Sequence, residues 1–355
     1  MSGLRLTALG WAWPLPRWLR RWALSRGDAP GSLAFARVVP ASFHPLRLCA
    51  VIDLAIGPIA RASRLRAEFE RENGMANSQG RFVWYELMTT DVAAAKAFYA
   101  KVVGWGTEDA STPAMPYALF TVKGASVGGV LDLPEVAIQV GEKPRWVGYV
   151  GVDDVDAAAV RTKKLGGTVY VPPCDIPNVS RFSVVADPQE AMFALVKWLR
   201  PRREPPAEPN APGRIGWHEL LADDLEKALP FYSELFGWQE ASTEIGPVSK
   251  YQLFAAAGQT IGGMMTKLPT VPLPCWLHYF NVSDIDAAAS RVTAGGGQIL
   301  EGPVEVPGYG WIVECVDPQG AVFGLEGKRR SSAVGYFVRG APQNPVDTRS
   351  KRWNW

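Results

Sequence analysis

The chain has 355 residues, of which 47% are hydrophobic and 20% are charged, and its 37 Lys and Arg nearly balance its 35 Asp and Glu to give a net charge of +2. This balance argues against a nucleic-acid partner, and the composition is that of a globular protein. The four cysteines form no Cys-x-x-Cys pair, which indicates reduced thiols in a cytoplasmic protein rather than a disulfide framework.

Residues 1–74 are rich in Arg, Trp and Pro and differ from the rest of the chain. Their basic and apolar residues do not follow the order of a secretory signal, and the apolar stretch 48–60 carries Asp53 and is too short to span a bilayer. We predict a disordered N-terminal extension, or a gene-model extension upstream of a true start at Met75. A basic amphipathic membrane anchor is the alternative.

The chain beyond residue 80 contains two kinds of unit, and each is present twice. Residues 81–105 match residues 214–238 in a pattern of Trp-x-Glu-Leu, Asp, Phe-Tyr and Gly-Trp, at a constant offset of 133. Residues 144–167 match 274–297, and 186–198 match 316–328, at an offset of 130. Because self-similarity at a fixed period marks a repeated structural module, the order is A-B-A′-B′.

Each unit is predicted to fold as β-α-β-β-β. A short alternating strand comes first, and an Asp such as Asp91 or Asp224 then caps an amphipathic helix. Shorter strands follow the Gly at the end of the helix. The predicted domains are 80–200 and 214–328, with a Pro-rich linker at 201–213 and a basic tail at 329–355.

Strand alternation divides the candidate site residues from the core. Leu87 and Leu220 must cover the helices, so their strand neighbours point to the other face. An aromatic wall with one carboxylate is typical of a site for a flat or cationic small molecule. The other interpretation is that each Glu is paired with a Lys or Arg and that each Trp is core. The predicted ligand-binding residues are Trp84, Tyr149, Trp217 and Tyr279, and the possible general bases are Glu86 and Glu219.

These motifs resemble the vicinal oxygen chelate superfamily, which includes glyoxalase I, extradiol dioxygenases and bleomycin-binding proteins. The resemblance rests on the Phe-Tyr and Gly-Trp pairs, the Asp-x-Asp-Ala-Ala helix starts and the Asp-Pro-Gln turns at 187–189 and 317–319. It implies an α+β fold in which tandem βαβββ modules pair into two curved-sheet, half-barrel domains. Because this fold carries unrelated chemistries, it does not by itself imply one activity.

The resemblance also implies where a divalent metal ion would bind. Family members that hold an ion place a His seven residues before the helix-capping Asp and a Glu seven residues after the Asp of the Asp-Pro turn. His218 and His278 lie one residue away from such positions, on the opposite strand face. We therefore predict no cofactor, and an atypical ion site using His218, His278 and Glu219 is the less favoured alternative. The implied ligand positions carry Trp84, Val147, Trp217, Leu277, Ala194 and Gly324.

Three functions stay open at this stage. The favoured hypothesis is a glyoxalase- or bleomycin-resistance-like protein that binds a small molecule without the usual metal site. The alternatives are a metal-dependent lyase or dioxygenase with atypical ligands, and a non-catalytic structural or regulatory protein. We expect a cytoplasmic monomer or homodimer without a nucleic-acid or membrane partner.

Overall fold

A computed structural model describes residues 78–112, 116–139, 141–199, 210–245, 250–306 and 309–330. The predictions for residues 1–74, for most of the linker 201–213 and for all but the first two residues of the tail 329–355 therefore lie outside the described part. In that part no helix is long and apolar enough to cross a membrane.

The first half contains two βαβββ modules. The first helix begins after Asp91, whose side chain accepts a hydrogen bond from the amide of Ala94 and so caps the helix. The second begins after Asp154 in the same way. A short additional helix joins the two modules. The elements are β1 (Phe82–Thr89), α1 (Val92–Val102), β2 (Gly106–Asp109), β3 (Ala118–Val122), β4 (Ala125–Asp132), α2 (Glu135–Gln139), β5 (Arg145–Gly151), α3 (Val155–Lys164), β6 (Thr168–Ile176), β7 (Ser180–Ala186) and β8 (Met192–Trp198).

The second half repeats this order without the additional helix. Asp224 and Asp284 cap its two helices, and Gly237 ends the first of them in the left-handed conformation, with φ of 73°. The elements are β9 (Ile215–Ala222), α4 (Leu225–Phe236), β10 (Gln239–Ile245), β11 (Lys250–Ala256), β12 (Gln259–Thr266), β13 (Cys275–Val282), α5 (Ile285–Ala294), β14 (Gln298–Val306), β15 (Gly310–Val316) and β16 (Val322–Gly327).

The strands form two curved, eight-stranded sheets, one for each half. The first sheet has the order β2-β3-β4-β1-β5-β8-β7-β6, and the second has the equivalent order β10-β11-β12-β9-β13-β16-β15-β14. Units A and B therefore pair within one half, through the antiparallel contact of β1 with β5, and of β9 with β13 in the second half. The predicted α+β fold of paired βαβββ modules is confirmed.

The helices, in contrast, pack between the halves. Helix α1 contacts α5, and α3 contacts α4. One buried cluster accordingly joins Phe98 of α1 to Ile285 of α5, and another joins Val155 of α3 to Ala228 of α4. Because each cluster takes residues from both sheets, neither half can complete its helix-side core without the other.

Equivalent hydrogen bonds from each half to the other reinforce the contact between the halves. Tyr99 donates to Oδ2 of Asp317, and Tyr232 donates to Oδ2 of Asp187, at 3.0 Å in both cases. The indoles of Trp105 and Trp238 likewise donate across to backbone carbonyls of the opposite half. The Phe-Tyr, Gly-Trp and Asp-Pro-Gln motifs of the repeat thus join the two halves rather than line a ligand site.

Candidate functional site

The face of each sheet that lies away from the helices is called here the inner face. The helix side of β1 carries Tyr85 and Leu87, whereas Trp84 belongs to a separate buried cluster on the inner face. On β9, Leu220 lies among the helix-side residues, and strand alternation places its neighbour Glu219 on the inner face. The predicted division of these strand residues between the helix side and the opposite face is therefore observed in both halves.

Glu86 occupies the middle of the first inner face. Its Oε1 accepts a hydrogen bond of 2.7 Å from the hydroxyl of Tyr117, and its Oε2 accepts one of 2.6 Å from Tyr149. Burial raises the pKa of this carboxyl, while the two tyrosine hydrogen bonds oppose the rise. Tyrosines, and not the Lys or Arg that the alternative interpretation required, are therefore the hydrogen-bond donors to this carboxylate.

Glu219 occupies the equivalent place on the second inner face. Tyr279 donates to its Oε2 at 2.6 Å, and Tyr251 is a second hydrogen-bond partner. The pKa of Glu219 is raised to about 7, first because the carboxyl is buried and then because Glu314 and Glu301 repel its charge. This carboxyl therefore holds its proton to a higher pH than an exposed glutamate does.

A hydrogen-bonded chain continues outward from this carboxyl. The indole of Trp217 donates to the hydroxyl of Tyr251 at 3.0 Å, and the ring of Tyr309 lies 5.8 Å from that indole, centroid to centroid. On the other side of Glu219, the hydroxyl of Tyr279 lies 3.3 Å from Oε1 of Glu314. The second inner face thus combines aromatic rings with several carboxylates.

Glycines on the neighbouring strands make room for the tyrosine rings. A Cβ atom at Gly129 would collide with Tyr117, one at Gly263 with Tyr251, and one at Gly324 with the ring of Tyr279. Gly129 of β4, Gly263 of β12 and Gly324 of β16 therefore allow close approach of a tyrosine side chain to the backbone.

The two histidines lie on the helix side of the second sheet. Their Nδ1 atoms are 3.3 Å apart, and the hydroxyl of Tyr85 lies 3.2 Å from Nε2 of His218. Burial lowers the pKa of both imidazoles, to about 3 for His278, and the neighbouring His278 lowers that of His218 further. In the strand, His218 and Glu219 point to opposite faces, so the structure does not bring the histidines together with Glu219.

Three carboxylates of the second inner face were missed by the sequence analysis. At the same offset of 130 that relates the B units, Glu301, Glu314 and Glu326 stand where the first half has valines. The strand register confirms the correspondence, because Glu301 pairs with Glu314 as Val171 pairs with Val184. Aligning the two copies residue by residue would have revealed this difference. The valines are Val171, Val184 and Val196, all packed in the first inner face.

The two inner faces also differ in exposure. Val179 is 5% exposed, whereas its equivalent Tyr309 is 54% exposed. Trp84 is 5% exposed and packs edge-on against Trp198, whereas Trp217 is only partly buried. The position equivalent to Trp198 is Lys328. The rim of the first inner face is therefore closed by its own side chains and the rim of the second is more exposed, although Glu86 and Glu219 are equally buried, at 8% and 7% exposure.

Comparison with known proteins identifies the family. The model of the Glyoxalase/Bleomycin resistance protein/Dioxygenase superfamily matches residues 81–195 and 214–325. The chain belongs to this family. A protein of Mycobacterium bovis provisionally named glyoxylase CFP32 is 36% identical over 250 residues, covering 70% of this chain and 94% of that protein. The anthracycline biosynthesis protein DnrV of Streptomyces peucetius is 30% identical over 253 residues, covering 68% of this chain and 91% of DnrV.

Solved structures share the fold at low sequence identity. The Mn(II)-bound glyoxalase of Novosphingobium aromaticivorans superposes with a TM-score of 0.50 at 18% identity, over 71% of this chain and 83% of that enzyme. The 2,2',3-trihydroxybiphenyl 1,2-dioxygenase of Sphingomonas wittichii superposes with a TM-score of 0.51 at 14% identity, over 69% of this chain and 89% of that enzyme. At these identities the likeness extends to the fold alone.

The residues of this chain do not fit the divalent ion of metal-binding family members. None of the six implied ligand positions carries a nitrogen or oxygen donor side chain, and the ring of Tyr279 fills the space beside Gly324. Within the described ranges, no group of three or more His, Cys, Asp or Glu is placed to hold a metal ion. No chemical step is therefore derived through a metal at these positions.

Proposed function

We propose that this member of the family binds a small organic molecule on an inner face, through aromatic rings and a buried glutamate and without the usual metal donors. The observation that carries the proposal is Glu219, a buried carboxyl held by tyrosines beside the partly exposed ring of Trp217. A buried carboxylate that lacks a Lys or Arg partner lowers stability, and Glu86 carries the same cost. The partly exposed ring of Trp217 beside Glu219 is what favours a ligand on the second inner face.

The relatives support a small organic ligand. One is named as a glyoxylase and another as a protein of anthracycline biosynthesis; both names point to small-molecule chemistry, although they belong to those proteins. A cytoplasmic location and a monomeric or homodimeric state are the simplest expectations for such a binding protein, and both are part of this proposal.

An enzyme is the second candidate, and one observation favours it. The pKa of about 7 at Glu219 is suited to a general base or acid at neutral pH. Tyr279 would then hold the carboxyl in place through its 2.6 Å hydrogen bond. A lyase or isomerase that moves a proton next to a carbonyl group would need such a carboxyl, whereas a purely structural role would not.

Two measurements on the purified full chain test the proposal. Metal analysis should find no stoichiometric iron, nickel, manganese or zinc. Thermal unfolding with methylglyoxal–thiol adducts, catechols and glycopeptide antibiotics should show a rise in Tm with one of these classes, because ligand at 100 times its Kd stabilises the folded state by about 2.7 kcal/mol. The rise should persist after treatment with EDTA.

Matched variants assign any effect to the site. Trp217→Ala should abolish the rise in Tm that the ligand causes, whereas Trp311→Ala, on the helix side of the same sheet, should keep it. Stoichiometric metal that is lost together with ligand binding in Glu219→Gln would contradict the proposal and favour the metal-dependent alternative. Absence of any ligand-induced shift would favour a structural or regulatory role.

A further inference from the structure

The two inner faces descend from the same repeat, so differences between equivalent positions show how their roles diverged. In the first face, Val171, Val184 and Val196 pack with Tyr149 and Phe182 in one buried cluster. Close packing of this kind leaves little room for a ligand. The first face is therefore part of the protein core, and its Glu86 has both carboxylate oxygens occupied by tyrosine hydroxyls.

The second inner face is more exposed at the positions equivalent to those of the first. Val304 and Tyr309 are 43% and 54% exposed, and no equivalent of the sealing Trp198 is present, because Lys328 stands in its place. Exposed large apolar side chains beside an open sheet face are typical of a binding surface. Tyr309 lies against Trp217 with the two ring planes tilted by 57°, so the rings form an angled aromatic wall.

The charge of the second inner face defines which kind of ligand it can bind. Glu301, Glu314 and Glu326 replace the three valines, and burial raises the pKa of the last two. The ion pairs of the described residues leave these three glutamates and Glu219 without a Lys or Arg within salt-bridge distance. A cation placed on the aromatic wall would gain both from the carboxylates and from the ring faces.

We propose that the second inner face alone receives the ligand, one molecule per chain, and that this ligand is a planar molecule that bears a protonated amine. The first inner face serves as a structural core. This inference rests on the proposed binding function and adds to it the number of sites and the chemical class of the ligand. Glu301, Glu314 and Glu326 are then determinants of specificity, and Trp217 and Tyr309 form the aromatic wall against which the ligand packs.

Titration of the full chain with proflavine, a planar organic cation, tests this directly by calorimetry and by quenching of tryptophan fluorescence. We expect one site per chain, and binding that weakens as the salt concentration rises. The double variant Glu301→Val/Glu314→Val, which copies the first half, should bind on the order of tenfold more weakly. The planar anion anthraquinone sulfonate should not bind to the wild-type chain.

A second double variant controls for net charge. Glu240→Val/Glu305→Val removes two exposed carboxylates from strands of the same sheet, outside the proposed contact. It should keep wild-type affinity, and the Tm of each variant reports whether it folds.

The outcomes separate this inference from the proposed function on which it rests. Two equivalent proflavine sites, or equal affinity in both double variants, would refute the inference. Binding of the planar anion that is lost in Trp217→Ala would refute the charge assignment while the binding function stands. Failure of proflavine, the anion and the ligands of the thermal assay to bind would refute both.

Discussion

Replacing Glu219 by Gln should stabilise the protein at pH 8 and do so much less at pH 5. Glutamine resembles the protonated carboxyl in shape but cannot ionise. The folded pKa is raised from 4.5 to about 7, so the folded state holds the proton more tightly than the unfolded chain. Stability therefore falls as the pH rises from 4.5 through 7, and the buried charge remains a cost above that range.

The magnitude follows from the size of the shift. The pKa of Glu219 is higher in the folded state than in the unfolded state by about 2.5. This difference lowers the free energy of unfolding by about 3 kcal/mol at pH 8, where the carboxyl is ionised in both states, and by about 1 kcal/mol at pH 5. The variant should thus gain about 3 kcal/mol at pH 8, less the part of the Tyr279 hydrogen bond that depends on charge. Urea unfolding at both values of pH, followed by fluorescence, measures the difference.

Glu86→Gln is the matched variant in the first half. Burial also raises the pKa of Glu86, so its replacement should change the pH dependence in the same direction. If Glu219→Gln were equally destabilising at both values of pH, the carboxylate would be a structural hydrogen-bond acceptor. The interpretation of Glu219 as a group kept for ligand binding at a cost in stability would then be wrong.

Three further predictions concern the parts of the molecule that hold the site. Tyr232→Phe removes the buried hydrogen bond to Asp187 and leaves the indole of Trp276 without its 3.1 Å acceptor. The variant should therefore lower the free energy of unfolding by about 2–4 kcal/mol. A loss below about 0.5 kcal/mol in urea unfolding would contradict the role given to this contact. Gly324→Ala introduces a Cβ into the ring of Tyr279, which is 2% exposed. The ring must shift, so the variant should weaken ligand binding and lower Tm, and unchanged binding would show that the position of Tyr279 is unimportant. The imidazole of His278, whose pKa is lowered by burial to about 3, should stay neutral from pH 8 to pH 5; an NMR resonance of His278 that titrates near pH 6.5 would show that it is exposed to solvent.

The sequence was sufficient for the fold because the repeat shows each element twice. The alternation around Glu86 and the capping Asp91 recur at Glu219 and Asp224, so each prediction was supported by an independent copy. Strand periodicity likewise assigned the faces, and it placed His218 on the opposite side from Glu219 correctly.

Two features of the structure could not be predicted from the repeat and the strand periodicity. Periodicity gives the face of a side chain but not its partner across the fold, so it could not show that Tyr99 bonds Asp317, 218 residues away. Nor could it show that the rim of one inner face is closed and that of the other more exposed, because exposure depends on packing between strands far apart in the chain. The substitutions of valine by glutamate were visible in the sequence, but only the strand register shows that they line one surface.

The places where the two copies agree and differ separate structural requirements from functional ones. Tyr99 with Asp317 and Tyr232 with Asp187 are chemically identical, because the two halves meet through equivalent contacts and each contact completes a core. The inner faces carry no such constraint, since neither is needed to complete the other. One face could therefore become a closely packed core around Glu86, while the other carries an acidic surface with a more exposed rim. On this reasoning the duplicated chain uses its first inner face for stability, and this frees its second to carry the additional carboxylates of Glu301, Glu314 and Glu326, where the first has valines.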